Sequence, residues 1–212
     1  MIDLFNLRRD FSLKTLDEKD IQANPIDFFK QWLEEAIAAE AMEPNAMNLA
    51  TATPDGKPSS RIVLLKQVTN GGFVFFTNYD SRKGQQIAQN NHCALNFCWH
   101  ELERQVRIEG IATKISSAQS DAYFEVRPAK SKLGAWASPQ SRSIPNREYL
   151  ERIVADFNHK FEGKVIPRPA NWGGYIVQPH MIEFWQGRES RLHDRILYKL
   201  NNEKWIISRL AP

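Results

Sequence analysis

Six basic residues on three separate segments of the chain could bind phosphate. They are Arg61 and Lys66 of RIVLLK, Arg82 and Lys83 of SRK, and Arg191 and Arg195 of RLHDR. Each pair adjoins an apolar run that predicts a buried strand. Long cationic side chains rarely lie near a core without a partner of opposite charge. Several of them converging there predict a buried anion, most simply the phosphates of a small ligand.

The SRK segment predicts a phosphate site at the start of a helix. Ser81 is placed to cap a short helix that runs to about Gln89. Cations in the first turn oppose the positive end of the helix dipole, and a bound anion would remove that conflict. The alternative is a solvated surface turn, since the dipole effect amounts to only ~0.3–1 kcal/mol.

Strand alternation separates the two cations of RIVLLK. In an ideal strand Arg61 and Lys66 face opposite sides, so they cannot hold one phosphate together. They suit two different anionic groups, or a bulge could realign them. A core strand with basic ends that reach water is the alternative.

The RLHDR segment predicts three cationic or titratable groups on one strand face. Alternation places Arg191, His193 and Arg195 together, and no acidic residue shares their side of the strand. Such groups repel one another unless something negative lies between them. A salt-bridged rim is the alternative interpretation.

Weaker signals point to the same kind of ligand. Tyr123 and Arg127 are four residues apart on a predicted helix, and Ser131 follows just beyond Pro128, so these groups could hold a second phosphate. Other side chains suit the edge or face of a planar ring: Gln105, Gln140, Ser141 and Trp185.

Several catalytic classes find no support in the sequence. It contains no GxGxxG, P-loop, GxSxG or HExxH motif, and its histidines and cysteines lack metal-ligand spacing, so no metal is expected. The chemistry is therefore expected to belong to a bound cofactor, with the protein supplying binding and electrostatics.

Composition sets the remaining limits. A chain of 212 residues with 42% hydrophobic residues can bury one large core, and a net charge of only +3 does not favour nucleic acid. No apolar run approaches the ~20 residues of a membrane span. Cys93 and Cys98 fall on opposite faces of one strand, so we expect reduced, buried thiols in a cytoplasmic protein.

The elements that position these residues are mostly strands. Residues 1–23 are polar and predict a mobile arm, and Asn24-Pro25 opens a helix that carries one apolar stripe. Predicted strands cover 47–53, 61–66, 73–77, 92–100, 104–115, 174–178, 181–186, 191–200 and 204–210, and further helices cover 117–128 and 143–161. This order predicts a mainly β protein with flanking helices (α+β), a single domain over residues 24–212 built as a small antiparallel barrel.

Taken together and in order, these segments resemble the pyridoxine/pyridoxamine 5'-phosphate oxidase family. The matching motifs run through nearly the whole chain: RRDF, RIVLLK, TNYDSRK, LERQVRIEG, RPAKSKLGAWAS, WGGY, EFWQG, RLHDR and the terminal RLAP. The resemblance implies an FMN-binding split barrel that works as a homodimer with FMN at the subunit interface. It implies oxidation of pyridoxamine or pyridoxine 5'-phosphate to pyridoxal 5'-phosphate, with hydride passing from substrate C4' to flavin N5 and O2 then yielding H2O2.

The resemblance also implies roles for individual residues. FMN-binding positions are Arg61, Ile62, Val63, Leu64, Leu65, Lys66, Phe76, Thr77, Arg82, Lys83, Gln105, Gln140, Ser141, Trp185 and Arg195. Substrate-phosphate positions are Lys66, Tyr123, Arg127 and Ser131, and Arg191, Leu192 and His193 lie at the reacting part of the substrate, with Arg191 and His193 as the catalytic pair. The arm residues Arg8, Arg9, Asp10 and Phe11 would fold over the site as part of an arm spanning 1–23.

Two departures from the family pattern concern the aromatic positions. The family often has tyrosine where this chain has Phe11, which removes a hydroxyl from the arm but leaves its covering role. Phe76 likewise replaces a tyrosine, with less effect if the contact runs through the backbone.

Two other functions remain as alternatives. The first is another FMN split-barrel protein, either a flavin reductase using a nicotinamide cofactor or a non-catalytic flavin binder. Such a protein would lack the Tyr123, Arg127, Ser131 and RLHDR set. The second is an RNA-binding barrel, which would need exposed aromatics on a broad basic face.

Overall fold

Nine strands and five α-helices form the part of the chain that the computed structural model describes, residues 2–7 and 10–212. The strands are β1 (Ala46–Ala52), β2 (Pro58–Leu64), β3 (Gln67–Thr69), β4 (Gly72–Asn78), β5 (His92–Trp99), β6 (Arg104–Lys114), β7 (Trp172–Gln186), β8 (Asp194–Asn201) and β9 (Lys204–Arg209). The helices are α1 (Pro25–Ala38), α2 (Arg82–Gln89), α3 (Ser117–Glu125), α4 (Ala129–Ala137) and α5 (Arg147–Lys160).

The strands make one curled antiparallel sheet. Its order is β2-β1-β5-β6-β7-β4-β3, with β8 added to β7 and β9 to β8. Although β2 and β4 lie far apart in this order, they line one cavity, and the Lys66 N–H just after β2 donates to the carbonyl of Val74 at 2.8 Å. The predicted antiparallel barrel with flanking helices is therefore confirmed.

Helix α1 covers one end of the barrel core. Asn24 accepts a hydrogen bond from the N–H of Ile26, and Pro25 takes the first helical position, as the sequence predicted. The aromatic side chains of α1 pack into the barrel, with the Phe29 ring 4.8 Å from Phe73 and the Phe28 ring 4.4 Å from Phe184. Burial of each such ring contributes about 1.5–3 kcal/mol. Ile37, near the end of α1, is 56% exposed and takes no part in this packing.

Three elements differ from the sequence prediction for local reasons. Helix α4 was missed because Pro128 precedes it without any side-chain cap. The three-residue β3 is too short to show alternation. The two strands predicted over 174–186 are one strand, β7, because a register shift between Glu109 and Gly110 of β6 accommodates Pro179.

The cysteines are unpaired, as expected. Cys93 is buried, but Cys98 is exposed, so the expectation of a buried thiol holds for only one of them. No helix in the described residues is long and apolar enough to cross a membrane.

Candidate functional site

A cavity of about 320 Å³ lies between β2, β4 and the start of α2. Its walls contain five of the side chains that the sequence singled out as anion ligands: Arg61, Lys66, Lys83, Tyr123 and Arg127. The lining residues are Arg61, Ile62, Val63, Leu64, Lys66, Phe76, Thr77, Asn78, Lys83, Tyr123, Arg127, Gln140 and Trp172. We refer to this space as the cation cavity.

Lys83 is the most unusual residue of the cation cavity. Its side chain is only 9% exposed, and its ammonium donates to Gln140 Oε1 at 2.9 Å and to Thr77 Oγ1 at 3.2 Å. Both partners are neutral, and no described carboxylate forms an ion pair with it. Burial, and then the charge of Arg61, lower the pKa of Lys83 to about 8.

Arg61 is likewise held by neutral groups. Its guanidinium donates to Thr51 Oγ1 and Ser59 Oγ, each at 2.6 Å, and to the carbonyl of Leu49. Burial, and then the nearby charge of Arg82, lower the pKa of Arg61. Neither Arg61 nor Lys83 forms an ion pair with an acidic residue in the part of the chain that the structure describes, so this region of the cavity attracts an anion.

A third cation lies on the aromatic side of the cavity. The Nη1 atom of Arg127 is buried and has no hydrogen-bond partner among the residues the structure describes. Burial lowers the pKa of Arg127. Beside it, the rings of Phe76 and Tyr123 stack with centroids 3.9 Å apart. A buried donor without an acceptor costs stability, and a ligand that supplied an acceptor would remove that cost.

The two cations of RIVLLK reach the same cavity, although strict alternation separated them. Strand β2 ends at Leu64, and the chain after it bonds to β4, which turns Lys66 toward the cavity. Leu65 does not line the cavity; its side chain is 4% exposed and belongs to the hydrophobic core.

Four other predicted residues are close in sequence to residues of the cavity wall but do not line the cavity themselves. Ser81 caps α2 by accepting from the N–H of Gly84, which confirms the predicted cap, and Arg82 is the exposed first residue of that helix. Ser141 follows Gln140 with a positive φ of 71°. Ser131 lies in the first turn of α4, with its N–H bonded to the carbonyl of Pro128.

A second group of predicted residues lies on the outer face of the sheet. Gln105 pairs in register with Trp185, and Trp185 pairs with Arg195, so the three form a row across β6, β7 and β8. Arg195 donates to Glu183 Oε1 at 2.8 Å. The expectation that no acid faces Arg195 is therefore wrong, because the acid comes from the neighbouring strand; the salt-bridged interpretation holds for this residue.

The strand predicted to begin at Arg191 begins only at Asp194. Before it, residues 189–191 form a 3₁₀ turn in which Ser190 and Arg191 have φ values of 56° and 60°. The turn is closed by the N–H of Arg188, which donates to His193 Nδ1 at 3.1 Å. Arg191 and His193 therefore do not share a strand face with Arg195. Consecutive positive φ values in non-glycine residues are costly and concentrate at functional sites.

The turn borders a second cavity, of about 520 Å³. Its lining residues are Leu7, Asp10, Phe11, Arg188, Ser190, Arg191 and His193. The ring centroids of Phe11 lie 5.8 Å from Trp185 and 5.9 Å from His193. Leu192 is 68% exposed and does not line the cavity. Arg8 and Arg9, predicted to act with Asp10 and Phe11, lie outside the described residues.

His193 has a defined tautomer in this arrangement. A backbone N–H can only donate, so Nδ1 of His193 carries a lone pair and its proton, when neutral, is on Nε2. Burial, and then the charge of Arg191, lower the pKa of His193. The neutral ring therefore carries an N–H donor at Nε2.

Two acidic residues that the sequence did not single out hold the arm in place. Glu103 Oε2 accepts from the N–H groups of Ser12 and Leu13 at 2.9 and 3.0 Å. Asp194 Oδ2 accepts from the N–H of Leu16 and from Arg188. Leu13 is 90 residues from Glu103, and Leu16 is 178 residues from Asp194, so no local sequence pattern could reveal these contacts.

Gly187 gives a direct test of this docking. A Cβ at this position would lie 2.8 Å from two atoms of Phe11. We expect Gly187→Ala to displace Phe11 and to speed hydrogen exchange at the Ser12 and Leu13 amides by about 10-fold or more, since such overpacking costs about 1–3 kcal/mol. Exchange mass spectrometry of the arm peptide measures this.

The matched control is Gly134→Ala on α4. A Cβ there would meet no atom within 4 Å, so arm exchange should stay at the wild-type rate. If Gly187→Ala leaves hydrogen exchange of the arm amides at the wild-type rate, the position of Phe11 does not depend on its close packing against Gly187.

The two groups of predicted residues remain separate within one chain. Between the cation cavity and the Gln105, Trp185, Arg195, Arg191 and His193 group, no hydrogen bond, ion pair or ring contact joins described residues. The sequence also missed Asn78 and Trp172 of the cavity wall. The WGGY motif contains Trp172, but nothing in its residue types pointed to a role in binding.

Comparison with known proteins accounts for nearly the whole chain. Residues 33–161 match the profile of the family described as "Pyridoxamine 5'-phosphate oxidase". Residues 172–212 match the profile described as "Pyridoxine 5'-phosphate oxidase C-terminal dimerisation region".

Curated relatives match over their full length. A "Pyridoxine/pyridoxamine 5'-phosphate oxidase" of Trichormus variabilis is 57% identical over 98% of this chain and 97% of its own. One of Cytophaga hutchinsonii is 52% identical over 99% of both chains.

Solved structures share the fold. PhzG from Burkholderia lata, crystallised with tetrahydrophenazine-1-carboxylic acid, has a TM-score of 0.89 and 32% identity, covering 95% of this chain and 100% of its own. A pyridoxamine 5'-phosphate oxidase-related, FMN-binding protein from Nostoc punctiforme has a TM-score of 0.69 and 19% identity, covering 87% and 97%, which supports the fold alone.

Proposed function

This chain belongs to the pyridoxamine 5'-phosphate oxidase family, and on that premise we propose that it is an FMN-dependent oxidase that converts pyridoxamine and pyridoxine 5'-phosphate to pyridoxal 5'-phosphate. The observation that carries the proposal is the cation cavity. It places the buried Lys83 and the half-buried Arg61 and Arg127 in one cavity, where the described residues offer them only neutral hydrogen-bond partners or none. Two phosphorylated ligands would supply the missing negative charge.

The donors of the cavity fit both phosphates. We assign Arg61, Arg82 and Lys83 to the FMN phosphate, because they surround the capped start of α2. We assign the substrate phosphate to Lys66, Tyr123, Arg127 and Ser131. Among these donors Nη1 of Arg127 is buried without a described hydrogen-bond partner, so a phosphate oxygen would satisfy it. When bound, FMN would supply a hydride acceptor at N5 for substrate C4', with O2 as the final electron acceptor giving H2O2; for the amine substrate, water would then replace the nitrogen at C4' and ammonia would leave.

A homodimer would complete the site. The region matching a dimerisation profile, residues 172–212, contains Trp185, Arg191, His193 and Arg195. In this proposal a second copy brings these residues and Gln105 to the cation cavity, with Gln105, Trp185 and Arg195 toward FMN. This arrangement explains why the two groups do not meet within one chain.

The residues of the turn would act on the substrate directly. His193 is neutral and donates its Nε2–H, while Arg191 orients the substrate and favours electron density in its ring. Phe11 and the arm, residues 1–23, would cover the site and exclude water. In the structure Phe11 already contacts Trp185 and His193. We place this chemistry in the cytoplasm, where free thiols such as Cys93 and Cys98 remain reduced.

FMN binding should depend on pH through Lys83. The pKa of this ammonium is about 8 in the free protein, and a phosphate dianion beside it would raise that value. FMN affinity should therefore be constant below pH 8 and fall by up to ~10-fold per pH unit above it. Titration of flavin fluorescence between pH 6.5 and 9.5 measures the profile.

Riboflavin is the matched ligand for this titration, because it lacks the phosphate. Its weaker affinity should not change through the same window. An FMN profile that stays flat to pH 9.5 would argue against Lys83 as a phosphate ligand.

The function itself is tested with the FMN-loaded protein. Peroxide should appear when pyridoxamine 5'-phosphate is added in air, and much less should appear with unphosphorylated pyridoxamine. A yellow protein that releases no peroxide with either phosphorylated substrate would instead be a flavin reductase or a flavin carrier.

A further inference from the structure

Trp172 is an aromatic residue of the cation cavity to which no ligand role has been assigned above. It is the first residue of β7 and pairs with Asn78 of β4. Its side chain is 6% exposed, yet the residue lines the cavity. The indole therefore lies at the boundary between the core and the space where the ligands are proposed to bind.

The indole forms the base of an aromatic stack. Its ring lies nearly parallel to Phe76 and Tyr123, with interplanar angles of 13° and 8° and centroids 5.5 and 6.2 Å away. Phe124 packs against it edge-on at 5.2 Å. Tyr123 is thereby limited to one plane, which fixes the direction of its hydroxyl.

The same indole supports the guanidinium of Arg127. The Cζ atom of Arg127 lies 4.4 Å from the Trp172 centroid, against 5.5 Å from the Phe124 centroid. This cation–π contact holds the planar group without using any of its N–H donors. Nη1, which is buried and unpartnered, is therefore left to meet an anion.

A backbone tie keeps the indole in register with α3. Arg168 donates to the carbonyl of Trp172 at 2.6 Å and to Asp121 at 2.6 Å, and Asp121 lies two residues before Tyr123 on α3. The start of β7 and the helix that carries Tyr123 are thus fixed to each other by one guanidinium. The backbone of Trp172 is thus tied to α3 by an arginine from the loop just before β7, and ring contacts then position the indole against Tyr123 and Arg127.

We propose that Trp172 is a positioning residue for recognition of the substrate's phosphate monoester, acting through Arg127 and Tyr123. The inference rests on the proposed function of this cavity and adds to it the element that orients the two side chains. It predicts that loss of the indole weakens binding of phosphorylated substrate without altering the chemistry at the ring.

The test compares Trp172→Leu and Trp172→Phe in the FMN-loaded protein. Trp172→Leu should raise KM for pyridoxamine 5'-phosphate about 10-fold, equivalent to about 1.4 kcal/mol, with kcat within twofold of wild type. Trp172→Phe keeps a smaller aromatic face and should raise KM only about threefold. Unchanged KM in Trp172→Leu, or a fall in kcat alone, would overturn the inference.

A binding measurement separates this inference from the proposed function. Calorimetry with pyridoxal 5'-phosphate and with pyridoxal needs no turnover, and the ratio of the two affinities should fall about 10-fold in Trp172→Leu. The proposed function is wrong if the wild-type protein releases no peroxide. The inference about Trp172 is wrong if Trp172→Leu leaves the ratio of affinities unchanged, or if the wild-type protein does not bind the phosphorylated ligand more tightly.

If Trp172→Leu does not fold, the threefold change expected for Trp172→Phe decides the question. Phe157→Leu on α5, whose ring packs against Trp136 and lines neither cavity, is the matched aromatic control and should leave the ratio unchanged.

Discussion

Lys83→Met should abolish stable FMN binding while leaving the protein folded. Removing one member of a buried charge pair costs about 2–5 kcal/mol, so the Kd for FMN should rise about 100-fold or more. The reason is that Lys83 is buried with only neutral partners among the described residues, namely Thr77, Ser81 and Gln140. Flavin fluorescence quenching on titration with FMN measures the loss.

The same substitution should not weaken the FMN-free protein. A buried ammonium without a counter-charge destabilises the fold, and an apolar side chain of similar length removes that cost. The unfolded chain keeps this proton to a pH near 10.5, whereas the folded, FMN-free protein releases it near 8. The unfolded state thus binds more protons between these values, so wild-type stability rises with pH across the window. Lys83→Met should lack this rise.

Lys57→Met provides the matched control. Lys57 is exposed and pairs with Asp55 at the surface, so its loss should change neither FMN affinity nor the melting temperature appreciably. If Lys83→Met binds FMN as tightly as wild type, the assignment of the flavin phosphate to this cavity is wrong.

Arg191→Met should leave FMN bound but slow the reduction of FMN by substrate about 100-fold or more. A rate loss of this size is typical when a substrate is held out of its reactive position. Arg191 lies in a turn with two positive φ values, and within the described residues it forms no ion pair. The positive φ values strain the backbone, which is typical of functional sites, and the Arg191 side chain is available to contact a ligand. Anaerobic stopped-flow absorbance at saturating pyridoxamine 5'-phosphate measures the rate. Wild-type reduction kinetics in the variant would remove Arg191 from the reaction.

Arg147→Met is the matched arginine control. Arg147 lies on α5 and pairs with Glu151, away from both cavities, and reduction should proceed at the wild-type rate.

Mixing the two inactive variants tests whether each site spans two copies. If Lys83 and Arg191 of different copies serve one site, dimers with one Lys83→Met and one Arg191→Met subunit contain one intact site. Random re-pairing should then restore about a quarter of wild-type activity. A mixture that stays inactive would place both residues in the same subunit's site.

Local patterns predicted those parts of the fold that depend on local chemistry. The Asn24 cap and the Ser81 cap both form as their residue types indicate. The cations of SRK and RIVLLK were identified from their position beside apolar strands, and the structure gathers Arg61, Lys66 and Lys83 in one cavity. Alternation alone did not predict this convergence, because β2 ends two residues before Lys66.

The remaining features depend on contacts that sequence spacing does not encode. The 191–193 segment alternates like a strand, yet the Arg188 N–H bond to His193 closes it into a turn. Glu183, the partner of Arg195, is supplied by a neighbouring strand. Glu103 and Asp194 act on an arm far away in sequence. In the sequence Trp172 resembles any core tryptophan, because its contacts with Tyr123 and Arg127 are seen only in the structure.

Anaerobic reduction of the FMN-loaded protein tests the central claim most directly. Mixing with pyridoxamine 5'-phosphate should bleach the oxidised flavin in one phase and yield one pyridoxal 5'-phosphate per flavin, while a reduced nicotinamide cofactor should leave the absorbance unchanged. Flavin that is bleached by the nicotinamide cofactor and not by pyridoxamine 5'-phosphate would contradict the account.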